Sequence, residues 1–121
     1  MTSLSEVNLT ELRAEDALVV ELAGFVDSAN AAGVQQRLMA VVARGDCNIV
    51  LDLDQLEYMS SAGFRILLLL SRAVGGAGGK LAICGLRGRI RSLFELGGFL
   101  DLLPVFPSKN DAIAWFHGTA R

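Results

Sequence analysis

Residues 47–72, CNIVLDLDQLEYMSSAGFRILLLLSR, admit few architectures. Ile49, Val50, Leu51 and Leu53 form an apolar run with β-branched members and read as a buried strand; after a short polar link, a serine pair opens a second apolar run of helical character. Ser60 and Ser61 precede Ala62, Gly63, Phe64 and the block Leu67 to Leu70, so one of the two serines is the natural N-cap. A strand thus aims a hydroxyl at the start of a helix.

That placement has chemical meaning. A helix start carries unpaired N–H groups and the positive end of the macrodipole, which stabilise an attached anion by about 0.3–1 kcal/mol. A phosphate on Ser61 would sit in a favourable field. Taken alone, a serine at such a position is most often only a cap.

The rest of the chain supplies the partners of this unit. Leu4 to Leu12 alternates loosely and is expected as an edge strand, and Ala17 to Ala23 as a stronger one; the short link between them makes an antiparallel hairpin. GFVDSAN, residues 24–30, leaves through a glycine and enters a helix with Asp27 or Ser28 as cap. Ala31, Val34, Leu38, Val41 and Val42 form its apolar face and Gly45 its stop, so this helix crosses over to a strand at 47–53 that runs parallel to the previous one. After the helix that begins near Ser61, GGAGGK at 75–80 resembles a phosphate-cradling loop. It fails at both ends, because Val74 stands where a glycine is needed and Leu81 where Ser or Thr is needed. Lys80 to Cys84 follows as a strand, Gly85 to Gly98 as a helix, Leu102 to Phe106 as a last short strand, and Ser108 caps a final helix with Asp111 three residues on. The expected fold is α/β: one domain over residues 1–121, a mixed and mostly parallel sheet with an N-terminal antiparallel hairpin, and about four helices.

Composition narrows the function classes. A length of 121 residues allows one core, and a net charge of −2 supplies no field for nucleic acid or an anionic membrane. Cys47 and Cys84 lack metal-ligand spacing and fit packed, reduced thiols of a cytoplasmic protein, ahead of a redox pair. MTSLSEVNLT has no signal-peptide pattern, and Ile66 to Leu70 is far shorter than the roughly 20 residues a membrane span needs, so no direct membrane insertion is expected. No cofactor or metal is called for. Arg87, Arg89 and Arg91 read as a solvated helix face, ahead of an anion or partner site, and His117 as a helix-terminal contact.

The pieces ELAGFVDSAN, IVLDLDQLEYMSSAGFRILL and LAICGL resemble a STAS domain of the anti-sigma factor antagonist kind. The family consensus runs through an aromatic, an apolar residue, Asp or Ser, the phosphorylated Ser, a small residue, Gly and an apolar residue; Tyr58, Met59, Ser60, Ser61, Ala62, Gly63 and Phe64 fill those places in order. Ser60 stands where many members carry Asp, and Phe64 where most carry Leu. The resemblance implies that Ser61 is the phosphoacceptor, with Ser60 as runner-up, and that Asp27 lies near it. It further implies an unmodified form that binds an anti-sigma factor with serine kinase activity, release on phosphorylation, and resetting by a serine phosphatase. It implies no enzyme activity of the domain's own.

Ser61, Arg65 and Arg72 mark a narrow polar stripe with Leu68 or Leu69 between them, a face suited to docking another protein, and Arg65 stands one turn from a phosphate on Ser61. The expected contact set is Asp27, Ser28, Ser60, Ser61, Gly63, Arg65 and Leu69. Two other readings compete. A STAS subunit of a stressosome or transporter complex would use the same domain. An aspartyl-phosphate phosphatase would use Asp52 as nucleophile and Asp54 as acid/base, but it needs a later acid pair that the chain lacks.

Overall fold

The apolar runs become the middle of one sheet with helices on both faces. The computed structural model describes residues 6–119. In chain order they form β1 (Val7–Arg13), β2 (Leu18–Val26), α1 (Ala31–Ala43), β3 (Asn48–Asp52), β4 (Leu56–Met59) and α2 (Ser61–Gly76). Then follow β5 (Lys80–Cys84), α3 (Gly88–Leu96), α4 (Phe99–Leu102), β6 (Val105–Phe106) and α5 (Lys109–Thr119). The sheet order is β1-β2-β3-β5-β6, with β4 attached to β2. Among the described residues only β1 and β2 pair antiparallel; β2–β3, β2–β4, β3–β5 and β5–β6 are all parallel.

Alternation along the strands explains why the central ones read as unbroken apolar runs. Leu18, Val20 and Leu22 of β2, Ile49 and Leu51 of β3, and Leu81 and Ile83 of β5 join one buried cluster with Val34, Leu38, Leu67, Leu70 and Phe94 from the helices. Val19, Val50, Ala82 and Cys84 point the other way, onto Ala112 and Phe116 of α5. Both faces are covered, so both registers must be apolar.

Several boundaries differ from those expected. The described part of the first strand is β1, at Val7–Arg13; Leu4 and Ser5 lie outside the described residues. β2 runs past Ala23 to Val26 because Gly24, at φ 97°, lets the strand bulge: a Cβ there would stand 2.5 Å from the Glu6 carbonyl oxygen. The cap of α1 is Asn30, and neither Asp27 nor Ser28. The link between residues 53 and 60 contains β4, and Leu102 belongs to α4, so the last strand shrinks to Val105–Phe106. Among the described residues there are thus six strands and five helices.

Candidate functional site

β2 changes partners along its length: Leu18 to Glu21 pair with β3, while Gly24 to Val26 pair with β4. The strand end therefore carries two loops at once, the one leading to α1 and the one leading to α2. Ser60 N–H donates to the Val26 carbonyl at 2.8 Å, tying them together. On the α1 side, Asp27 Oδ1 accepts from the Ala29 and Asn30 amides at 2.9 and 3.3 Å, while Asn30 Oδ1 accepts from Asp27 N–H at 3.0 Å and Asn30 Nδ2 donates to the Phe25 carbonyl at 2.8 Å. Asp27 thus shapes the turn, half-buried, with exposed Ser28 beside it.

On the α2 side the two serines divide. Ser60 is the N-cap, extended at φ −80° and ψ 173°, and its carbonyl accepts from the Gly63 and Phe64 amides at 2.9 and 3.2 Å. Its side chain makes no capping bond; Oγ is buried and has no hydrogen-bond partner among the described residues. Ser61 is the first helical residue and is exposed, beside amides that the helix leaves unpaired. Gly63 is buried beneath the helix start, where a Cβ would meet Met59 Cγ at 2.5 Å and Val26 Cγ1 at 3.1 Å, so it lets α2 settle on β4 and β2. Its place is thus under the edge, away from the exposed surface of Ser28, Ser61 and Arg65.

Beside Ser61 a shallow groove of about 660 Å³ opens between α2 and the α3–α4 corner, lined by Tyr58, Ser61, Phe64, Arg65, Leu68, Arg89, Leu93, Leu96 and Phe99, among others. Its floor is aromatic: Phe64 stacks on Phe99 with centroids 4.9 Å apart, and Phe94 lies 5.2 Å from Phe64 and 5.7 Å from Phe99. Sequence reasoning left Tyr58 and Arg89 out of the contact set, held Leu68 and Leu69 as alternatives, and missed Leu93, Leu96 and Phe99 here. Leu96, before Gly97 and Gly98, is 85% exposed at a helix end. Leu68, seven residues from Ser61, lines the groove, whereas half-buried Leu69 does not.

The other candidates are placed elsewhere. Asp52 Oδ1 accepts from the Asp54 amide at 3.0 Å, and Lys109 bonds Glu21 at 3.3 Å. Burial, then the charge of Asp52, pushes the Cys84 thiol up to about 12, and the β3–β5 register puts Asp52 beside Cys84 with Cys47 beyond the far end of β3. The two sulfurs therefore do not meet. Arg87 pairs with Asp54 and Arg91 with Glu95. Among the described residues, the group able to share a cation is Glu15, Asp16 and His117, at the end of β2 opposite Ser61. His117 Nδ1 lies 2.8 Å from Asp16, which raises its pKa. No described helix is long and apolar enough to cross a membrane.

Known proteins share this fold. The STAS domain family model matches residues 10–112. A relative from Bordetella bronchiseptica, named "Putative anti-sigma factor antagonist BtrV", is 39% identical over 110 residues, covering 91% of this chain and 95% of that one. The structure resembles that of an anti-sigma factor antagonist from Mycobacterium paratuberculosis, with a TM-score of 0.86, 24% identity, and 97% and 99% of the two chains covered. It also resembles the Bacillus cell fate determinant SpoIIAA in its phosphorylated form, with a TM-score of 0.68, 17% identity, and 90% and 97% covered. With the family match running through the loop before α1, the serine pair and the helix that carries Ser61, the chain belongs to the STAS domain family.

Proposed function

We propose that this chain is an anti-sigma factor antagonist that works by partner switching, in the cytoplasm and without catalysis of its own. Unmodified, the edge formed by the Asp27–Ser28 loop, Ser61 and Arg65 binds an anti-sigma factor that is also a serine kinase. The kinase transfers the γ-phosphoryl group of ATP to Ser61 Oγ: a P–O bond forms, the bond to ADP breaks, and the hydroxyl proton leaves. A serine phosphatase reverses the step.

The observation that carries this reading is the exposed Ser61 at the first position of α2, next to a Ser60 whose hydroxyl is shut in. The names of relatives in the family add support. Magnitudes explain why modification changes binding more than folding. A phosphate adds about −1.5 to −2 charges; the helix start favours it by roughly 0.3–1 kcal/mol. Like charges set against each other across an interface cost several kcal/mol, so the complex loses far more than the free domain gains.

The test is incubation with the cognate anti-sigma kinase and ATP, followed by mass spectrometry of the modified peptide. One phosphate on Ser61, loss of the complex on its addition, and no labelling of Ser61→Ala are expected. Phosphate on Ser60, or a complex indifferent to phosphorylation, overturns the reading.

A further inference from the structure

The groove beside Ser61 has a composition at odds with the rest of the surface. The chain carries a net charge of −2, yet Arg65 and Arg89 line this groove and no acidic residue does. Arg13, Arg44, Arg87 and Arg91 each find a carboxylate nearby. Arg65 and Arg89 make no ion pair among the described residues, and both are exposed. The same lining holds Phe64, Phe99, Leu93 and Leu96, the last 85% exposed, and Tyr58, 42% exposed. Leu96 and Tyr58 are exposed beside half-buried Leu93 and Phe99, and an apolar patch that reaches the surface in this way marks an interaction site.

We propose that this groove is the seat of an acidic amphipathic helix of the partner, apolar side on the phenylalanine floor and carboxylates on Arg65 and Arg89. The inference rests on the partner-switching reading and names the chemistry of its contact. Two features select this occupant. Beyond the first turns at Ser61 and Arg89, the groove walls are the sides of α2 and α3, whose backbone groups are used within each helix, so along most of its length the occupant receives side-chain contacts and must satisfy its own amides and carbonyls. The two guanidiniums, without an ion pair among the described residues, share the lining with the apolar side chains and bind carboxylate in preference to any cationic or neutral polar group.

The arrangement also explains how one modification releases the helix. Arg65 is four residues from Ser61 on α2, within reach of a phosphate there. The phosphate thus competes for the guanidinium that the partner's carboxylate used.

The experiment measures affinity of the cognate anti-sigma kinase for the intact chain and three exposed-residue variants. Leu96→Ser and Arg89→Glu are each expected to weaken the complex by about tenfold or more. Arg91→Glu, also exposed on α3 but outside the groove, should leave it unchanged. If the unmodified protein binds and phosphorylation releases it, while Leu96→Ser and Arg89→Glu bind as well as the parent, the groove proposal fails and the switch stands. If the kinase never binds the parent, the switch fails. The groove is then judged by amide shifts on titration with a short leucine–glutamate helical peptide and its leucine–lysine counterpart. Shifts at Phe64, Leu93 and Leu96 with the acidic peptide alone support it; no shift, or equal shifts with both, overturns it.

Discussion

Ser60 and Ser61 are chain neighbours with opposite exposures: the hydroxyl of Ser60 is enclosed without a hydrogen bond, while Ser61 stands open at the first turn of α2. An unpaired buried hydroxyl carries a desolvation penalty of about 1–3 kcal/mol, and Ser60 does not recover it by capping. Ser60→Ala should therefore stabilise the domain, by up to ~1 kcal/mol, where an ordinary cap would lose about that much. Urea unfolding checks the sign. A loss of stability would mean that the Ser60 hydroxyl is bonded after all. Phosphorylation of Ser61 should leave the far-UV circular dichroism of the domain unchanged.

Gly63 sets how closely α2 approaches the sheet. Gly63→Val puts methyl groups where Met59 and Val26 already stand, at 2.5 and 3.1 Å from the first added carbon. Overpacking of this kind costs about 1–3 kcal/mol. The denaturation midpoint should fall, and the rate of Ser61 phosphorylation should fall with it, because the helix start is displaced.

The aromatic trio separates stability from groove shape. Phe94 is fully buried, so Phe94→Ala should cost about 3–5 kcal/mol. Phe64→Leu exchanges one apolar side chain for a smaller one at the groove floor and should cost less than about 1.5 kcal/mol. Equal losses in calorimetry would contradict the assigned roles.

Acidity should act through two surface ion-pair groups. Asp16, then Glu15, raise the pKa of His117, so that stabilisation is complete below the unfolded value near ~6.5 and disappears as pH rises through the higher folded value. The stability gap between the parent and His117→Gln should close on going from mildly acidic to alkaline buffer. Asp46 behaves oppositely. Hydrogen bonds from Arg13 and Arg44 bring it down to about 2, so its contribution holds above the ordinary carboxylate range and vanishes as pH falls towards that value. Asp46→Asn should be least distinguishable from the parent in strong acid.

How far the sequence alone could be read depends on which forces act locally. The central strands, the helix after Ser61 and the antiparallel hairpin follow from patterns within single segments. β4 escaped because Leu56 and Met59 are buried while Glu57 and Tyr58 between them are not, a pattern with no strand period. The cap at Asn30 was hidden by Asp27 and Ser28, whose residue types fit a cap equally well; Asp27 instead folds the turn ahead of it. Leu102 was drawn into α4, whose Phe99 is held by Phe64 of α2 and Phe94 of α3. The groove is assembled from three helices and the end of a strand, so no one segment announces it. Arg87, Arg89 and Arg91 show the same limit, since the fold pairs the outer two and leaves the middle one at the groove.

The bond from Ser60 N–H to the Val26 carbonyl, with the exchange of hydrogen bonds between Asp27 and Asn30, means that both loops of the edge are already in register before any encounter. Each rotamer-rich side chain frozen on association costs about 0.5–1.5 kcal/mol, and ordering a loop costs more. An edge assembled in advance avoids the loop share of that entropy loss. A change of charge at one oxygen atom can then tip the equilibrium without any rearrangement of backbone.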